Sequence, residues 1–124
     1  MHTATRHFAD TALVAVVGRV DHQSAGQLEQ ALSGPIAGHG PVVLDFSGVE
    51  YISSVGLRVL MVAARQMRVR SAAFAVAALQ PVVAEIFAIS RFDRVLDVHP
   101  DLATALAGTS PVALAAWQAA PPTP

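Results

Sequence analysis

Ser53 and Ser54 stand side by side in the stretch Asp45-Phe-Ser-Gly-Val-Glu-Tyr-Ile-Ser-Ser-Val-Gly-Leu-Arg-Val-Leu60. They separate an apolar run that reads as strand from one that reads as helix. A serine used as a nucleophile needs an activating base within hydrogen-bond reach, and nothing nearby in sequence looks able to supply one. The chain has no G-x-S-x-G, G-x-x-x-x-G-K or G-x-G-x-x-G, so esterase chemistry and nucleotide hydrolysis lack support. The five histidines, His2, His7, His22, His39 and His99, are scattered. No two have the helical spacing of metal ligands, and only His22 lies close to a carboxylate in sequence, beside Asp21. Cysteine is absent, which excludes disulfides, thiolate zinc sites and cysteine nucleophiles. The expectation is a non-enzyme with no catalytic residue, no metal and no cofactor.

The whole chain sets further bounds. Its 124 residues make one ordinary domain, long enough to bury a core without staples. Hydrophobic residues are 53% and charged residues 14%, the balance of a compact globular protein. A formal net charge of -1 gives no electrostatic argument for nucleic acid or an acidic membrane as partner. The first residues have no apolar signal core, and no apolar run reaches the length of a bilayer span. The missing cysteines are neutral to mildly favourable for the cytosol. A cytoplasmic protein, monomeric or weakly dimeric, is expected.

The elements that must position the serines alternate along the chain. Leu13–Val17 reads as a buried strand ending at Gly18, with a weaker strand expected around His7–Ala9. Ser24 and Gln27 have the spacing of a capping box. A helix is expected from there to about Leu32, stopping at Ser33-Gly34-Pro35. Pro41–Phe46 reads as a second buried strand. Ser47-Gly48 is expected to turn the chain, and Val49–Ile52 to continue it extended. The pattern is helical from Ser54 to about Met67. Ala73–Leu79 reads as strand. Pro81 opens a helix in whose first turn a missing N–H costs nothing. Val95–Val98 reads as a short strand, and His99-Pro-Asp101 opens a last helix to about Ala107. This order predicts an α/β fold with right-handed crossovers and a largely parallel sheet. The domain is expected over residues 1–107. An Ala/Pro-rich tail follows over 108–124, with one short helical turn through Trp117 before it frays at Pro121-Pro-Thr-Pro124.

Ligands of α/β sheets gather at the carboxyl ends of the strands, where this reading places Asp21, Asp45 and the serine pair. Two readings of Ser54 stand. It is an ordinary N-cap, a role serine fills at roughly 1 kcal/mol over alanine. Or it is a modification site, since a helix N-terminus presents free N–H groups and a positive dipole end that tolerate a phosphate. Asp21 and Asp45 read first as turn and cap formers and second as a border to that site. Leu57, Arg58, Met61, Arg65 and Arg68 share a face with Ser54. The other side, Val59, Leu60, Ala63 and Met67, is apolar and is expected in the core. The mixed stripe is a candidate interaction surface.

The segment "VVLDFSGVEYISSVGLRVL" resembles the central motif of the STAS domain in its small stand-alone bacterial form, the anti-sigma-factor antagonists. "GRVD" at Gly18–Asp21 is similar to the end of that family's first strand, and "FDRVLDVHPDLATAL" to its last strand and helix. The resemblance covers roughly residues 7 to 107. It implies a mixed, mostly parallel sheet of about five strands flanked by about four helices. It implies a protein-binding module whose partner is an anti-sigma factor that is also a serine-protein kinase. That kinase phosphorylates the second residue of the pair, here Ser54. Phosphorylation breaks the complex, and a serine phosphatase restores it. The implied partner-binding set is Asp21, Asp45, Ser53, Ser54, Gly56, Leu57, Arg58, Met61 and Arg65. The alternative is a STAS-like subunit of a transport or signalling complex, bound to a fixed partner with Ser54 unphosphorylated. Three positions depart from the family pattern. Ser53 replaces an aspartate and becomes a competing phosphoacceptor, Val55 replaces a small residue, and Arg91 stands where glycine often follows the third helix.

Overall fold

The computed structural model describes residues 1–38 and 40–120. Five strands, β1 (His2–Phe8), β2 (Thr11–Val20), β3 (Val42–Ile52), β4 (Phe74–Ala77) and β5 (Asp97–His99), form one sheet in the order β1-β2-β3-β4-β5. β1 runs antiparallel to β2, and the remaining pairs are parallel. Five α-helices complete the fold: α1 (Ala25–Ala37), α2 (Ser54–Val69), α3 (Pro81–Ile89), α4 (Leu102–Thr109) and α5 (Pro111–Ala119).

The apolar runs of β2, β3 and β4 are buried because helices cover both faces of the parallel sheet. One face carries Val14, Val16, Leu44 and Phe46 against Leu28, Leu32, Leu60, Met67 and Phe87 of α1, α2 and α3. The other carries Leu13, Val43, Ala75 and Ala77 against Leu106 of α4 and Ala113 of α5.

Four expectations about elements are corrected. The weak first strand is seven residues long, joined to β2 by a two-residue turn in which Ala9 takes a φ of 53°. α1 does not stop at Ser33-Gly34-Pro35 but runs through Pro35 to Ala37. Proline there forfeits one helical hydrogen bond near the end, while the buried Ile36 holds the last turn to the core and the Gly38 N–H closes it on the Gly34 carbonyl at 3.1 Å. The capping box is absent. Ser24 Oγ accepts from the Asp21 N–H at 2.9 Å and donates to the Arg19 carbonyl at 2.9 Å, and the Gln27 amide donates to the Met1 carbonyl at 3.0 Å. Lastly, Ser47-Gly48 makes no turn. β3 continues through it as one strand of 11 residues, and the irregularity is taken up as register shifts against β2.

The segment expected as a tail folds as far as Ala120. Ser110 caps α5, accepting from the Ala113 N–H at 3.2 Å, and donates to Asp10 Oδ1 at 2.7 Å. Pro111 occupies the first turn, where its ring fits. Trp117 and Ala116 pack against the α4–α5 core. The fraying expected at Pro121–Pro124 falls outside the described residues. The Arg91 departure is resolved: Arg91 takes a φ of 63° directly after α3, the left-handed geometry glycine adopts without strain.

Candidate functional site

The site is built where β2 and β3 end together. Val20 pairs with Ile52, and the Ser53 N–H donates to the Val20 carbonyl at 2.8 Å. This brings Asp21, the residue after β2, to the neighbouring strand end from the serine pair. Asp21 Oδ1 accepts from the Gln23 N–H at 3.0 Å and the Ser24 N–H at 3.2 Å, which folds the β2–α1 connection. Partial burial works against its charge, but these backbone N–H bonds prevail, so its carboxyl is held below the ordinary value.

The two serines divide their roles. Ser53 is the N-cap of α2, with φ -86° and ψ 171°, and its Oγ accepts from the Gly56 N–H at 3.3 Å. Ser54 is the first helical residue and is exposed. Its hydroxyl has no hydrogen-bond partner among the described residues. Capping, one of the two readings of Ser54, thus belongs to its neighbour.

Gly56 is buried under the helix start, where a Cβ would come within 2.7 Å of Val20 Cγ1 and 2.8 Å of Ile52 Cγ1. It lets α2 sit directly on the strand ends and holds Ser54 at the rim. Leu57 is corrected: it is 4% exposed and packs in the core, so it does not belong to the surface stripe. Met61 is half-buried, whereas Arg58 and Arg65 are exposed and make no ion pair among the described residues. Val59 is only partly buried at the core's margin.

Asp45 is not at this site. It pairs with Ala15 and Ala77 within the sheet, and its Oδ1 accepts from the Ser47 N–H at 2.9 Å. Eight further residues of extended chain, at about 3.3 Å each, put it roughly 25 Å from Ser53. It lies at the carboxyl end of β4, but β3 runs well past that point.

One polar pair went unread in the sequence: His99 Nε2 lies 3.0 Å from Asp97 Oδ2. The signal was there, since residues two apart in a strand share a face. This pair stands at β5, away from the serines. No cluster of three or more potential metal ligands occurs among the described residues, and none of their helices is long and apolar enough to cross a membrane.

Known proteins share this sequence pattern and fold. Residues 3–100 match the family described as "Mlab, STAS domain". BtrV of Bordetella bronchiseptica, a candidate anti-sigma factor antagonist by name, is 38% identical over 91 residues, covering 72% of this chain and 78% of BtrV. The crystal structure of an anti-sigma factor antagonist from Mycobacterium paratuberculosis superposes with a TM-score of 0.80 at 28% identity, covering 87% of this chain and 92% of that one. A protein from Thermotoga maritima superposes with a TM-score of 0.81 at 16% identity, covering 86% and 93%; at that identity the likeness is one of fold. With the matched segment running from within β1 through β5 and including the serine pair at the start of α2, the chain belongs to the STAS domain family.

Proposed function

We propose that this protein is an anti-sigma factor antagonist, a non-enzymatic module that binds an anti-sigma factor with serine-kinase activity and is switched off when that kinase phosphorylates Ser54. The family and the names of its relatives support the class of function. The observation that carries the switch is the division of labour at the helix start. Ser53 is occupied as the cap, while Ser54 is exposed and its hydroxyl has no partner among the described residues. A kinase substrate needs no activating base of its own, only access. A phosphate there adds nearly two negative charges beside the positive end of α2, which the free domain tolerates. In a complex the same charge meets a surface fitted to a neutral hydroxyl, and an unpaired buried charge costs several kcal/mol. A serine phosphatase then resets the module.

The test is mass mapping after incubation with ATP and a serine-kinase anti-sigma factor that binds this protein. Phosphate is expected on Ser54, lost in Ser54→Ala and retained in Ser53→Ala. Full labelling of Ser54→Ala overturns the assignment. Stable partner binding with no labelling of either serine would instead favour the unphosphorylated subunit.

A further inference from the structure

α2 has a second apolar face that the core does not use. Val55, Val62 and Val69 recur every seventh residue and are 44%, 45% and 82% exposed. They line the floor of an open groove between α1 and α2, about 470 Å³ in its larger part. Ile36 and Leu32 form the α1 wall, and a second, shallower part continues the groove to Val69 and Arg70. The groove begins at Val55, the residue after Ser54. A seven-residue apolar repeat on an exposed helix face is the geometry that receives another helix side by side.

The charges beside it say what kind of helix. Arg58 and Arg65 are also seven residues apart, each three after a groove valine, so they form one edge of the stripe. They lie about 10 Å apart along the axis at about 1.5 Å per residue. Both are exposed, neither has an ion-pair partner among the described residues, and α2 contains no carboxylate. Among the described residues, Glu29 on the α1 side is the one acidic residue lining the groove.

We propose that the α1–α2 groove docks an amphipathic helix of the partner protein, with an apolar stripe on Val55, Val62 and Val69 and carboxylates about seven residues apart facing Arg58 and Arg65. The proposal rests on the reading of this protein as a partner-binding switch, and it gives that switch a second lever. A phosphate on Ser54 stands at the mouth of the groove and repels an acidic helix, in addition to clashing with a surface shaped for a hydroxyl.

The probe is a synthetic helical peptide of about 20 residues, with leucines at helical spacing and glutamates on one edge. A second peptide carries lysines in place of the glutamates. Binding to the full chain is followed by fluorescence anisotropy. The glutamate peptide is expected to saturate, to bind at least about tenfold more tightly than the lysine peptide, and to lose at least about tenfold in Val62→Asp. The double variant R58E/R65E is expected to reverse the preference between the peptides. Melting temperatures confirm that each variant folds. No saturable binding, equal binding of both peptides, or indifference to Val62→Asp overturns the proposal. So does a concentration-dependent dimer that Val62→Asp dissociates, because the groove then belongs to a second copy. Ser54 phosphorylation without peptide binding leaves the switch standing and removes only the groove's assignment. Peptide binding with no kinase labelling does the reverse.

Discussion

The Gly56 N–H donates to Ser53 Oγ at 3.3 Å, closing the first turn of α2 across Ser54, which lies between them and whose hydroxyl has no partner among the described residues. The structural cap and the proposed phosphoacceptor are thereby neighbouring residues of the same type. Ser53→Ala should destabilise the domain by about 1 kcal/mol, the usual loss of a serine cap. That corresponds to a fall of roughly 3–6 °C in melting temperature for a chain of this size. Ser54→Ala should stay within about 0.5 kcal/mol of wild type, as exposed, unbonded positions do. Urea denaturation of the two variants checks this, and equal losses would contradict it.

Gly56→Ala should also destabilise. Helix propensity favours alanine by about 1 kcal/mol, but the added Cβ lands 2.7 Å from Val20 and 2.8 Å from Ile52, both buried and β-branched. Overpacking of this sort costs about 1–3 kcal/mol. A net loss near 1 kcal/mol is expected, and a more stable variant would show that α2 lifts off the strand ends freely.

Arg91→Gly should stabilise by about 0.5–1 kcal/mol, because only the arginine pays steric strain at a φ of 63°. An alanine control at the same position retains the strain and should show no such gain. Thermal denaturation of the pair decides it.

Acid should loosen the α5 end of the fold. The Ser110 hydroxyl bond holds the Asp10 carboxyl below its ordinary value of 3.8, against the smaller opposing effect of burial. A depressed folded pKa means the unfolded chain binds the proton more readily. The contribution is therefore complete above about pH 4 and is lost as pH falls through the folded value. Asp101, which accepts from the Thr104 N–H, and Asp21 shift in the same direction. Trp117, the sole tryptophan, reports the docking of α5. Its emission should move to the red below pH 4 in wild type, and at neutral pH in Ser110→Ala. Unchanged emission in both would contradict the docking account.

The parallel core was legible because Leu13–Val17, Pro41–Phe46 and Ala73–Leu79 are continuous apolar runs with turn residues at their ends. β1 was nearly invisible. His-Thr-Ala-Thr-Arg-His shows no apolar alternation, since an edge strand over a partly covered face has little to bury. Its existence depends on pairing with β2, which is a tertiary fact. Pro35 misled for a similar reason: local chemistry says stop, and the burial of Ile36 outweighs it. In α2 apolar residues occur on every side, so periodicity could not say whether Leu57 or Val62 faced the core. Packing placed Leu57 inside and left Val62 in the groove. The serine pair was legible as a helix start, but which of the two capped it depended on a single ψ angle. Asp45 was misplaced because the strand runs on through a Ser-Gly step that reads as a turn.

The proposed switch requires that charge at Ser54 act on binding and not on folding. The direct measurement is partner affinity and melting temperature for wild type, Ser54→Ala and Ser54→Asp, side by side by calorimetry and thermal denaturation. The helix dipole favours an acidic residue at this position by roughly 0.3–1 kcal/mol, so the melting temperature of Ser54→Asp should match or slightly exceed wild type. Burying its unpaired carboxylate in the complex should cost about 3 kcal/mol, a loss of more than about a hundredfold in affinity. Ser54→Ala should bind like wild type. If Ser54→Asp binds as tightly as Ser54→Ala, or unfolds the domain, the switch does not reside at Ser54.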